Sequence, residues 1–298
     1  MSFAIEQVLQ AFGVDVGDPE RRAEKAARLA EQPACPTAPA PVAAVATGDQ
    51  PRLLQHGFAA QVASQPNAAC ILSGDEIWSY ARMEKRAGLI AGALTTRGIG
   101  RGDLVAVTMH KTPDFVAALL GIVMAGAAFV PVDPRMTRAG MGRILRRAGA
   151  RLTLTDDTWH ALQTGFDLPI TIAALLDGVP STPPELQDAS PEDLAYGIFT
   201  SGSTGVPRLV GIEHRNVVSY FDQCLGKIFR AEDYRVVPAS ASISFDAIVH
   251  QVFCTLSLGG TILLVDDDAN VLESTREILV RAGYTVHEIG RASCRERV

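Results

Sequence analysis

Between Leu53 and Thr155, short apolar runs of strand length alternate with longer stretches of helical periodicity. No other feature narrows the possible folds as much. Gly57 to Ser64 is expected to be a helix, Ala69 to Ser73 a strand and Ser79 to Arg97 a long helix. Gly98-Ile99-Gly100-Arg101-Gly102-Asp103 is a glycine-rich turn into a strand, Leu104 to Met109. Pro113 is well placed to start the next helix, with Val116, Leu119, Leu120 and Val123 on one apolar face. Ala127 to Val132 is the next strand, Arg138 to Ala148 a helix, and a strand around Leu152 and Leu154 closes the series. Such alternation predicts an α/β fold with a mostly parallel sheet flanked by helices. Residues from Asp156 to about Asp193, rich in proline, are expected to form a surface loop.

Phe199 to Val210, FTSGSTGVPRLV, follows a short apolar strand beginning at Leu194. It brings together Thr200, Ser201, Ser203 and Thr204, the glycines Gly202 and Gly205, and the cation Arg208. Glycines let backbone N–H groups approach an anion closely, hydroxyls add donors and the guanidinium adds charge, a composition suited to polyphosphate. No Gly-Lys-Ser/Thr follows at Walker A spacing. After this loop, Asn216 to Phe229 is expected to be a helix, with His214 a hydrogen-bonded structural residue near its start. Val236 to Ala239 is expected to be a strand, and Ser244 to Phe253 opens a further helix that runs to Gly259-Gly260.

The order of residues in the loop resembles TSGSTGxPKGV, the signature of the AMP-forming adenylating enzymes. Arg208 stands where that family usually has lysine, and Leu209 where it has glycine. WSYARMEKRAGLIAGALTTRGIGRGDLVAV and MAGAAFVPVDP resemble further family segments, the second with Met124 in place of a lysine; both belong to the scaffold. FDAIVHQVF is similar to FDxSVWEIF of the adenylation domains of nonribosomal peptide synthetases. The resemblance covers about residues 53–265 and implies the incomplete N-terminal large subdomain of such an enzyme. It further implies that residues 200–208 hold ATP phosphates with Mg²⁺. Asp246 would pair with the α-ammonium of an amino acid, while Ala247 and His250 line the pocket. His250 replaces the family's usual tryptophan, making the pocket more polar. The implied reaction is activation of an amino-acid carboxylate as acyl-adenylate, passed on to a carrier-protein domain. An acyl- or aryl-CoA synthetase fragment of the same superfamily is the alternative. The family's adenine, ribose and Mg²⁺ segments and its C-terminal lysine would follow residue 265. No catalytic residue or metal ligand is therefore assigned, and the chain is expected to be inactive by itself.

The flanks set the domain boundaries. Residues 1–31 are a helical appendage, 32–51 a proline- and alanine-rich linker, and 52–261 the partial adenylation domain. Residues 262–287, which include ILLVDDDANVLESTREILV, have two readings. They resemble the opening strand, acidic pair (Asp266, Asp267), helix and second strand of a response-regulator receiver domain, which would make the chain a signalling fusion. Alternatively they end the adenylation fragment. Residues 288–298, EIGRASCRERV, resemble a translated sequencing adaptor and are treated as non-native. A net charge of −6 argues against a general nucleic-acid or membrane-surface binder. Five scattered cysteines with no CxxC pair, and no signal-like N-terminus, point to a reduced, cytoplasmic protein.

Overall fold

The computed structural model describes residues 52–74, 76–157, 169–178, 189–200, 207–225 and 234–264. The appendage, the linker, the receiver-like segment beyond Leu264 and the tail lie outside them. The chain opens with α1 (His56–Ser64), β1 (Ala69–Ser73), β2 (Glu76–Ser79) and α2 (Tyr80–Thr96). Next come β3 (Leu104–Thr108), α3 (Pro113–Met124), β4 (Ala128–Pro131), α4 (Arg138–Ala148) and β5 (Leu152–Thr155). Where the sequence suggested only a loop, β6 (Pro169–Thr171) and α5 (Ile172–Leu176) form. Three residues are too few to show a period, and β6 exists because β5 offers it a parallel edge, with Leu154 opposite Ile170. Thr171 then caps α5, its hydroxyl accepting from the Ala174 N–H at 3.1 Å.

The alternation is divided between two sheets. One has the order β6-β5-β3-β4-β7-β8, where β7 is Leu194–Thr200 and β8 is Arg208–Glu213. The other has the order β2-β1-β10-β9, with β9 at Val236–Ala239 and β10 at Thr261–Leu264. Pairing is parallel except for β1–β2 and β7–β8. Helix α6 (His214–Cys224) follows β8, and a helical segment runs from α7 (Ala247–Val249) through a π turn (His250–Cys254) into α8 (Thr255–Ser257). Among the described residues no helix is long and apolar enough to cross a membrane.

Two helices join the sheets. α2 packs on β1 and β2, α3 packs on β3 and β4, and the two helices pack on each other. Every residue of α3 from Phe115 to Val123 is buried, so the expected single apolar face is an apolar surface all round. A layer enclosed on both sides requires that. A Cβ at Gly121 would lie 2.8 Å from the Ala87 carbonyl oxygen and 2.8 Å from Ile90 Cβ, so only glycine permits this approach. Arg86 of α2 clamps Asp114 in the first turn of α3 with two bonds of 2.7 and 2.8 Å. Alternation along β4 sends Phe129 into this main core and Val130 into a second one with Met141, Ile144 and Ala148 of α4.

Substitution Gly121→Val should cost about 2 kcal/mol in urea unfolding, the scale of core overpacking. An unchanged midpoint would mean that α2 and α3 can separate freely.

Candidate active site

The strand β7 and the strand β8 form an antiparallel hairpin, so the hydroxyl-rich loop spans two paired strands. Thr200 and Arg208 are cross-strand partners at its mouth, both exposed, with the Thr200 hydroxyl 3.5 Å from the Arg208 carbonyl oxygen. Ser201, Gly202, Ser203, Thr204 and Gly205 lie outside the described residues. Sequence reasoning missed β8 as a strand. Its alternation is blurred by Gly211, where a Cβ would meet Leu194 Cδ2 at 2.8 Å.

The Asp246 region is built against the same end of the larger sheet. β4 and β7 run parallel, and the turn after β4 holds Asp133, whose carboxylate accepts the Ser242 hydroxyl at 3.1 Å. Burial would raise the Asp133 pKa. The guanidinium and backbone N–H of Arg135, together with Ser242, outweigh that and hold it below the usual carboxylate range. Lys111, just after β3, donates to the Ala239 carbonyl at 3.1 Å and ties the two sheets together at this end. Gln251 accepts the Ala241 N–H at 3.1 Å, fixing the segment between β9 and the helix. The Asp133–Ser242 and Lys111–Ala239 ties were not visible in sequence, because their partners lie far apart along the chain.

Asp246 stands at the start of the helical segment, exposed, with αR backbone angles and no side-chain capping bond. Ala247 beside it is also exposed, and His250 is half-buried. The Asp246 charge reaches two tyrosines. Tyr196 of β7 is pushed up to about 12, chiefly by burial and then by Asp246; Tyr220 of α6 is also pushed up to about 12, chiefly by burial, with Asp246 among the further causes. Phe245 and Tyr220 are 64% and 51% exposed, so the carboxylate opens onto aromatic surface accessible to a ligand. The helix itself is anchored by a stack of rings. Phe253 lies on Phe129 at 5.7 Å, and Phe129 on Tyr196 at 5.5 Å. Because β4 and β7 run parallel, Thr200 at the end of β7 and the Asp133–Ser242 tie after β4 lie at the same end of the larger sheet.

His214, the first residue of α6, is fully buried, and its Nδ1 accepts the Leu54 N–H at 3.0 Å. It is a structural residue that docks the start of the described chain onto α6. Burial lowers its pKa from 6.5 to about 4, the nearby Asp193 raising it only in part.

Residues 58–287 match the family described as AMP-binding enzyme, and the chain belongs to it. It is 38% identical over 216 residues to a linear gramicidin synthase of Brevibacillus parabrevis, covering 70% of this chain and 4% of the relative. Against a plipastatin synthase of Bacillus subtilis the identity is 33% over 230 residues, covering 74% of this chain and 9% of that protein. Among solved structures it resembles the nonribosomal peptide synthetase FmoA3 bound to α-methyl-L-serine-AMP. That match has a TM-score of 0.67 and 28% identity, over 77% of this chain and 26% of the other. The N-terminal subdomain of Klebsiella oxytoca NpsA shares the fold, with a TM-score of 0.65 over 76% of this chain and 57% of that one, at 22% identity. The chain thus spans only a small part of the curated relatives it matches.

Because native His214 is neutral and the unfolded residue titrates near 6.5, the unfolded chain binds more protons between these values. Stability from this site is full above pH 6.5 and falls towards pH 4, by up to about 3 kcal/mol. His56 and His250 are lowered as well and act in the same direction. Denaturation from pH 7 to 4 should therefore show a shallower loss in His214→Asn, whose Oδ1 can replace Nδ1 as the acceptor.

Proposed function

We propose that the chain contributes the phosphate loop and the amino-acid anchor of an ATP-dependent, AMP-forming ligase for nonribosomal peptide synthesis. The observation that carries this reading is the position of Asp246. It is an exposed carboxylate flanked by Tyr196 and Tyr220, at the sheet end where Thr200 and Arg208 form the loop mouth. A substrate with its α-ammonium at Asp246 would direct its own carboxylate towards the nucleotide. Attack of that carboxylate on the α-phosphorus gives acyl-adenylate and pyrophosphate. Holding both anions in place is the main service the chain can provide.

Arg208 and the loop hydroxyls would bind the β- and γ-phosphates, the planar guanidinium acting as a broader donor than lysine. Mg²⁺ would arrive on the phosphates and neutralise charge there. Ala247 and His250 would form the wall next to the ammonium site. A simple alkyl acid would leave Asp246 buried beneath it without a cation, a costly arrangement that favours amino acids over plain acids. The product would pass to a carrier-protein thiol, and a cytoplasmic setting fits the ATP requirement. Residues 262–264 belong to β10, which is hydrogen-bonded between β1 and β9. This pairing, with the AMP-binding match that extends to residue 287, supports reading 262–287 as the end of the adenylation fragment.

Calorimetric binding of phenylalanine and of 3-phenylpropionate, which lacks the ammonium, tests the anchor. Where an amino acid binds, Asp246→Ala should weaken it at least tenfold, strengthen the plain acid by removing an uncompensated carboxylate, and leave ATP unaffected. Arg208→Ala should weaken ATP alone, by about tenfold, the scale of one charge-assisted contact. Binding of the plain acid in preference to the amino acid by the unsubstituted chain would instead support an acyl- or aryl-CoA synthetase.

A further inference from the structure

Positive charge is concentrated on and around α4. Residues 135–151 hold six arginines and no acidic residue, whereas the whole chain is −6, so the remaining residues carry −12. Met141, Ile144 and Ala148 turn the inner face of α4 into the second core, beside Val130 and Val132. Arg143, Arg146 and Arg147, spaced i, i+3 and i+4, fall together on the opposite face, and all three are exposed. The flanking arginines are neutralised, Arg135 by Asp133 at 3.0 Å and Arg151 by Asp103 at 2.9 Å. Among the described residues, no ion pair or side-chain hydrogen bond holds Arg143, Arg146 or Arg147.

Helix stability accounts for only part of this stripe. Arg146 and Arg147 stand in the last turn, where cations complement the helix dipole. Arg143 stands mid-helix, beyond the reach of that effect, and repels both of the others across one turn. A row of carboxylates laid against the stripe would relieve the repulsion among all three.

The size of the stripe selects the kind of partner. From Arg143 to Arg147 the helix rises about 6 Å, little more than one turn. A nucleic acid or an anionic membrane would extend well past it and meet the acidic remainder of the chain. Membrane binding would also need a free apolar face, and that of α4 is buried in the second core. One helix of another protein, with carboxylates at matching i, i+3 and i+4 positions, fits both the length and the sign. We propose that the outer face of α4 is a docking surface for an acidic helix of a protein partner, held by Arg143, Arg146 and Arg147. Phe199 and Leu209, the neighbours of Thr200 and Arg208, pack on the same second core as the inner face of α4. The partner therefore binds the helix that supports the hairpin of the hydroxyl-rich loop. The docking surface does not depend on the reading of Asp246.

The test titrates the full chain into a fluorescein-labelled, staple-locked helical peptide with glutamates at i, i+3 and i+4, read by anisotropy. Binding should weaken about tenfold when salt rises from about 50 to about 300 mM. Arg143→Gln/Arg146→Gln/Arg147→Gln should weaken it by about tenfold or more at low salt. Lys85→Gln/Arg97→Gln/Arg235→Gln removes the same charge from exposed positions elsewhere and should change it by less than about twofold. Arg143→Glu/Arg146→Glu/Arg147→Glu should reject the glutamate peptide and accept one with lysines at the same positions, an exchange that misfolding could not produce. No binding of the glutamate peptide, equal loss in the two glutamine variants, or no exchange of preference on charge reversal overturns the proposal. Tighter binding of a short DNA duplex or of phosphatidylserine vesicles through the same arginines assigns the stripe to another class of partner. Salt-sensitive dimers in sedimentation, abolished by the Arg143→Gln/Arg146→Gln/Arg147→Gln variant, assign it to a second copy of the chain. Either result also overturns the proposal.

Discussion

The close approach of α2 and α3 is the contact on which the rest of the molecule depends. Each helix belongs to a different sheet, so their separation sets where the two sheets stand relative to one another. Gly121 permits the approach, and the Arg86–Asp114 clamp fixes the helices' register. Dispersion and burial supply most of the energy here, because α3 is enclosed on all sides and leaves no polar face to solvate. Tyr80, at the start of α2, reaches across to donate towards the Gly260 carbonyl at 2.7 Å and the Leu256 carbonyl at 3.2 Å. The helical segment with Asp246 near its start is thus tied at its far end to the same helix pair.

That frame brings separate sequence motifs to one end of the larger sheet. The hairpin mouth lies at the end of β7, the segment before Asp246 is bound to the end of β4 through Asp133, and Lys111 ties the end of β3 to the end of β9. Phe253, Phe129 and Tyr196 connect the two through stacked rings. Displacing any one of these rings would move the carboxylate relative to the loop, and productive positioning tolerates little such movement. Ser242 and Lys111 work in the same way, through their bonds to Asp133 and Ala239.

Much of this was legible in the chain itself. The strands Ala69–Ser73 and Val236–Ala239 and the helix Arg138–Ala148 have the boundaries their periodicity suggested. Prolines and hydroxyl caps, Thr112 with Pro113 above all, mark helix starts clearly. The family membership was legible because the residue order of FTSGSTGVPRLV and FDAIVHQVF is distinctive. The strand β6 escaped notice because three residues carry no period. β8 escaped because glycine interrupts its alternation, and α3 looked amphipathic because a sequence does not show how many neighbours a helix will have.

The sequence by itself determined the α/β class, most element boundaries, and which side chains carry charge in the two motifs. Those are local properties, set by backbone propensity, periodicity and residue chemistry. Only the tertiary structure decided that the alternation splits into two sheets, that His214 is a buried docking residue, and that His250 is enclosed by Tyr220, Phe221 and Tyr234. These depend on contacts between residues far apart in the chain, whose energies exist only once the core has brought the elements together.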